Sequence, residues 1–194
     1  MCGEKLGDLI RAKGAVRAKG ADLVSGSSGV SDGDASQGGE ATHRRCERED
    51  MIENEHPARR AGLLSQKFVS ERNRDAWLGL WAEEGILADP VGPSPFDPKG
   101  EGHRGKAAIT AFYDEMISKV AVSFDYPRSY ACANECAFTG TVYTRLPDGS
   151  ESGSEGVFLY CVDDEGKILS LRAFWEFERP QLEDDIHPPV GRAR

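Results

Sequence analysis

A carboxylate stands where a strand should end. In GILADPVG, residues 85–92, the apolar run Gly85-Ile86-Leu87-Ala88 stops at Asp89, and Pro90 follows at once. An aspartate projecting from a strand end beneath helices rich in Trp, Phe and Tyr can do proton-transfer chemistry. Apolar surroundings destabilise the ionised form of a carboxylate and raise its basicity toward general-base strength. Asp-Pro is also an ordinary turn initiator. On residue types alone the turn is the commoner occurrence, and both readings stand at this point.

A second signal lies just downstream. Gly100-Glu101-Gly102-His103-Arg104-Gly105 has the spacing of a dinucleotide fingerprint, and with Lys106 it is nearly a P-loop. Both motifs need a hydrophobic strand leading directly into the glycines, so that backbone N–H groups face a phosphate. Here the residues before them are Pro93-Ser94-Pro95-Phe96-Asp97-Pro98-Lys99, a loop, and Ala107 stands where a magnesium-binding hydroxyl belongs. The segment is expected to be a loop feeding a helix. His103 and Arg104 fall near that helix start, where exposed side chains are the ordinary case.

The four histidines (His43, His56, His103, His187) form neither HxH nor HExxH, so no metal site is expected. Cys132 and Cys136 have a loose metal-like spacing but lack a second pair, and the five cysteines are odd in number. Reduced, mostly buried thiols in a cytoplasmic protein are expected, with no cofactor.

The chain as a whole has 194 residues and a formal net charge of −9. That charge disfavours nucleic acid, whose phosphates call for a basic face. No apolar run reaches the length of a membrane span, and GEKLGDLIRAKGAV near the N-terminus is too charged for a secretory signal. Neither a nucleic-acid nor a membrane partner is expected.

Residues 1–50 contain no Phe, Tyr or Trp, and 25–42 is rich in Gly, Ser and Asp. Such a segment cannot bury enough apolar surface to offset its ordering entropy, so residues 1–55 are expected to be a disordered extension. Beyond it, Pro57 suits a first helical turn, and Ala61, Leu64 and Phe68 recur at helical spacing, which predicts a helix over 57–72. Asn73 is a helix cap, and Trp77, Leu80 and Trp81 share one helical face up to Gly85. Ile86–Asp89 follows as a short strand. Ile109, Phe112, Tyr113 and Met116 predict a third helix over 104–118.

The remainder reads as strands at 121–132 (interrupted by Pro127), 136–146, 153–163 and 167–178, with hairpin turns at 147–150 and 163–166. In the last strand Leu169, Leu171, Ala173 and Trp175 alternate with Ser170, Arg172 and Phe174, as in a sheet with one face on a core. Three helices followed by a bent, mainly antiparallel sheet make an α+β domain over 56–179. Residues 180–194 are expected to form an extended tail.

LWAEEGILADPVGP, then GHRGKAAITAFYDEM, then DDEGKILSLRAFW together resemble the ketosteroid isomerase branch of the NTF2-like (SnoaL-like) superfamily, over about 57–178. The resemblance implies a cone in which three helices close a curved sheet around one deep pocket, with a homodimer formed through the outer sheet face. It also implies a role for Asp89, because the family base is the aspartate of a D-P-V-G segment. In that family the base moves a proton while a tyrosine and a protonated aspartic acid donate to the dienolate oxygen. The corresponding donor positions are Ser65 and Phe158, so neither usual donor is present. Tyr113 matches a supporting tyrosine on the third helix, and the resemblance makes it the candidate to supply a hydroxyl to the ligand.

The other pocket positions implied by the resemblance are Trp81, Phe112, Phe138, Val142, Leu171, Ala173 and Trp175, a lining suited to a flat, apolar, steroid-like ligand. Each also fits plain core packing. Two functions follow: a proton-transfer isomerase acting on an enolisable apolar ketone with Asp89 as base, or a binding module that holds a steroid- or polyketide-like molecule without turnover. A third, a protein-interaction domain, rests on fold analogy alone.

Overall fold

The computed structural model describes residues 55–176, and the expectations for the N-terminal extension and the tail lie outside them. Helix α1 spans Pro57–Ser70 with proline in its first turn, and it buries Ala58, Ala61, Gly62, Ser65 and Val69. Those positions recur every three or four residues, so one stripe of small side chains faces the core. Asn73 caps α2, Arg74–Gly79, by accepting from the Ala76 N–H at 3.2 Å.

The second helix is shorter than its spacing predicts, and Trp81 is not on it. The chain leaves α2 at Leu80, whose carbonyl accepts from the Ile168 N–H at 2.8 Å, and Trp81–Ala88 forms strand β1. Gly85, read as a helix stop, lies inside that strand at a register shift between Trp81 and Ile86. A Cβ there would come within 2.9 Å of the Trp81 ring and 3.1 Å of the Ala82 carbonyl, so the bulge needs glycine.

After the proline-rich loop, strand β2 (His103–Arg104) pairs antiparallel with β1 and leads into α3, Gly105–Glu115. A 3-10 turn at Ile117–Lys119 completes what the sequence suggested as one longer helix. Strands β3 (Ala121–Cys132), β4 (Glu135–Arg145), β5 (Glu151–Val162) and β6 (Ile168–Phe174) form successive antiparallel pairs. The sheet order is β2-β1-β6-β5-β4-β3, with β1 parallel to β6. This is the curved, mainly antiparallel sheet expected, with α1 packed across β3, β4 and β5 and α3 against β1.

The last strand departs from its expected alternation at one residue. Leu169 is exposed while Ile168 is buried, because the β5–β6 register shifts between Cys161 and Val162. Beyond that bulge Leu171 and Ala173 face inward as expected. The core is built on Trp77, Trp81, Phe138, Leu87, Ile109 and Ile168, all essentially unexposed. Burying each such side chain contributes about 1.5–3 kcal/mol. The thiols are less uniformly buried than expected: Cys136 is buried, but Cys132 is exposed. No helix among the described residues is long and apolar enough to cross a membrane.

The GEGHRGK segment is more built than a plain helix entrance. One Asp97 carboxylate oxygen accepts from the Gly100 N–H at 3.0 Å and the other from the Gly102 N–H at 2.6 Å. The amides that a phosphate would need are therefore already bonded to a carboxylate. His103 is not an exposed side chain: its ring lies 4.6 Å from that of Phe112, and its Nε2 is buried without a partner. Burial holds its pKa below the ordinary histidine value, against the opposing pull of Asp97, Asp89 and Glu115.

A histidine whose folded pKa is depressed takes up protons less readily when folded than when unfolded, so stability falls as pH drops through its unfolded value near 6.5. The denaturant midpoint of the native protein should therefore fall between pH 7 and pH 5.5, and His103→Phe should reduce that fall. Equal pH slopes for the two proteins would exclude His103 as the source.

Candidate functional site

Asp89 owes its position to the parallel pairing of β1 with β6. Ile86, Leu87 and Ala88 lie opposite Ser170, Leu171 and Arg172, so the chain delivers Asp89 to the level of Ala173. The Asp89–Pro90 peptide is cis, and the Val91 N–H returns to the Ala173 carbonyl at 2.8 Å, fixing the turn to β6. Just past the end of β6, Trp175 donates its Nε1–H to Asp89 Oδ1 at 2.6 Å. A bond this short to a carboxylate orients the group within the cavity. Gly156 on β5 makes the approach possible, since a Cβ there would overlap the Phe174 carbonyl oxygen and press on Trp175.

Asp89 and Trp175 line a cavity between the helices and the concave face of the sheet, in a wall dominated by Leu87, Phe96, Phe112, Met116, Phe124 and Phe158. Ser65 and Tyr160, buried in the core, and the half-buried Tyr126 join that wall with their hydroxyls, as do Thr144, Ser152 and Ser154. Ser65 is 3% exposed, and its Oγ accepts from Trp77 Nε1 at 3.0 Å and from the Tyr160 hydroxyl at 3.4 Å. Tyr126 stacks on Phe158, with ring centroids 4.8 Å apart.

Both phenols are held above the ordinary tyrosine range, chiefly by burial. Tyr160 and Asp89 push Tyr126 further in the same direction, while the bond to Ser65 partly opposes the rise at Tyr160. Both stay protonated throughout the neutral range, and Tyr160 donates to Ser65.

Of the positions expected from the sequence, Asp89, Ser65, Phe112, Val142, Phe158, Leu171 and Trp175 come together around this cavity. Trp81, Phe138, Ala173 and Tyr113 do not line it. Trp81, carried on β1, packs edge-on against Trp77 with centroids 5.4 Å apart. Phe138 is covered by α1, where a Cβ on Gly62 would run into its ring. Ala173 is fully buried under the Asp89 turn. Tyr113 is tilted against Trp77 at 5.2 Å, in the field of Arg74 and Arg72, so its hydroxyl is not one of the cavity donors.

Tyr126 and Tyr160 were missed by sequence reasoning. The available signal was strand parity: Tyr126 is in phase with Val122 and Phe124, and Tyr160 with Phe158 and Val162, all on the inward side. Among the described residues no group of three or more His, Cys, Asp or Glu side chains is placed to hold a metal ion.

Several known proteins are similar to this chain. A steroid Delta-isomerase of Nocardioides simplex is 33% identical over 100 residues, covering 52% of this chain and 74% of that one. The Delta 5-3-ketosteroid isomerase of a Mycobacterium species superposes with a TM-score of 0.60 at 34% identity, covering 62% of this chain and 93% of that one. RV0760c of Mycobacterium tuberculosis, solved in complex with estradiol-17beta-hemisuccinate, gives a TM-score of 0.60 at 30% identity, over 63% of this chain and 95% of that one. These likenesses establish the NTF2-like fold. The family model described as a SnoaL-like domain matches residues 66–171. Since that match spans more than half of the sequence, the chain belongs to the SnoaL-like family.

Proposed function

We propose that this protein is a proton-transfer isomerase acting on an enolisable, largely apolar ketone of steroid-like shape, with Asp89 as the general base. The observation that carries the reading is a single carboxylate, held by an indole N–H, in a largely apolar wall whose other polar side chains are all hydroxyls or indole N–H groups. For a Δ5-3-ketosteroid the Asp89 carboxylate takes a proton from C4. The C–H electron pair moves into the ring to form a dienolate, and the protonated Asp89 then returns the proton to C6. The product is the conjugated enone, and no atom is gained or lost.

Charge develops on the ketone oxygen during the first step, so hydrogen-bond donors fixed nearby lower the barrier. Ser65 carries a short hydroxyl where the family has a phenol, and its oxygen already accepts two bonds, which leaves its own proton as the group available for donation. Phe158 donates nothing. Proteins similar to this one that act on or bind steroids support the choice of substrate class.

The test is direct. A Δ5-3-ketosteroid mixed with the full chain should produce conjugated enone, followed by its ultraviolet absorbance, faster than buffer alone. A rate equal to the buffer rate, with steroid binding measured in the same solution, would remove the isomerase reading.

A further inference from the structure

Tyr126 sits at a break in the sheet. Asp125 pairs with Thr141 and Arg128 with Thr139, so Tyr126 and Pro127 on β3 oppose Gly140 alone on β4. Two residues against one is a β-bulge, a device that bends a strand and re-aims a side chain. Gly140 is required beneath it: its φ is +149°, and a Cβ there would collide with the Asp125 carbonyl and come within 2.9 Å of Pro127 Cδ. Proline at this point withholds a ladder donor, which fits a bulge and not a regular strand.

The ring so aimed lies between Phe124, Phe138 and Phe158, with centroids 5.5, 5.7 and 4.8 Å away. Its hydroxyl has no hydrogen-bond partner among the described residues, although Tyr126 lines the same cavity as Asp89. A phenol on an apolar cavity wall, half-buried and making no bond to the described residues, is free to donate to a ligand oxygen that enters the cavity. Phe158, the residue that replaces the family's second donor, is the very ring on which Tyr126 stacks.

We infer that the Tyr126 hydroxyl donates to the ketone oxygen of the ligand and takes the place of the donor missing at Phe158. The inference rests on the proposed steroid-ketone reading of the cavity and deepens it. Burial, Tyr160 and Asp89 keep this phenol protonated, so it serves as a fixed donor and does not itself exchange a proton with the substrate.

Tyr126→Phe removes the hydroxyl and keeps the ring stack, so the fold should survive, as an unchanged denaturant midpoint would verify. Estradiol, whose phenolic ring places an oxygen where a dienolate carries one, serves as the probe, with 3-deoxyestradiol as its partner lacking that oxygen. Quenching of the cavity tryptophans Trp77 and Trp175 reads binding without any need for turnover. Tyr126→Phe should weaken estradiol about tenfold, the worth of one good hydrogen bond, and leave the 3-deoxy compound unchanged.

Turnover of the Δ5-3-ketosteroid should fall by about 10²-fold in kcat with little change in KM, because the bond matters most as charge develops. Undiminished estradiol affinity in Tyr126→Phe, an equal loss for both probes, or a wild type that binds neither would overturn the assignment. A wild type that binds estradiol through Tyr126 but turns nothing over would support it while removing the isomerase reading, so the two failures are distinguishable.

Discussion

Replacing Asp89 by asparagine should lower kcat on a Δ5-3-ketosteroid by about 10²–10⁴-fold, the range for loss of a positioned general base. The substitution is nearly isosteric, and the amide oxygen can still accept the Trp175 Nε1–H that now reaches Oδ1 at 2.6 Å. Stability and steroid affinity should therefore change little, while an amide cannot take the C4 proton. Asp89→Ala should behave differently. It would leave the indole N–H without its acceptor in a half-buried place, and loss of stability should accompany loss of turnover. The measurement is kcat from enone absorbance beside the Kd of estradiol for all three proteins. If Asp89→Asn turned over at the native rate, the base would have to be sought elsewhere.

Why Asp89 was legible and its partners were not follows from how each is specified. The aspartate announces itself locally, by a polar residue ending an apolar run and by the Asp89-Pro90-Val91-Gly92 segment. The bond from Trp175 spans 86 residues and that from Tyr160 to Ser65 spans 95. Contacts of that separation depend on sheet order, which no local pattern states. The strands β3 to β6 were readable from alternation and from the turns at Gly149 and Gly166, both with positive φ. The helix α1 was readable from its spacing.

The boundary at Gly85 was misread because Trp77, Leu80 and Trp81 fit a helical period, and three residues are too few to separate period 3.6 from the start of a bulged strand. Pro127 was seen as an interruption. Its meaning as half of a bulge needed Gly140, which is 13 positions away in sequence but lies directly opposite in the sheet.

That same dependence on unmarked backbone geometry makes Gly156→Ala a substitution of large expected cost away from the cavity wall. Gly156 pairs with Gly140 across β4 and β5, and an added Cβ would meet the Phe174 carbonyl oxygen and sit 3.0 Å from Trp175 Cβ. The first obstacle is backbone, which cannot rotate away as a side-chain tip could. Either β5 and the end of β6 separate or the chain at Trp175 moves outward. Overpacking of this kind costs about 1–3 kcal/mol.

Because Trp175 holds Asp89, the displacement should also reach the chemistry. A shift near 1 Å in a positioned group lowers turnover on the order of 10²-fold. Gly153→Ala on the same strand is the control, since its Cβ would meet only the Thr141 methyl at 3.2 Å and the Tyr143 ring at 3.4 Å, both side chains able to yield. Denaturant midpoints and kcat for the two alanine variants should diverge sharply, with Gly153→Ala near native in both. Should Gly156→Ala match it in stability and in turnover, Trp175 would not be held in place by the bare backbone of β5, and the orientation of Asp89 would have to come from the turn at Pro90 alone.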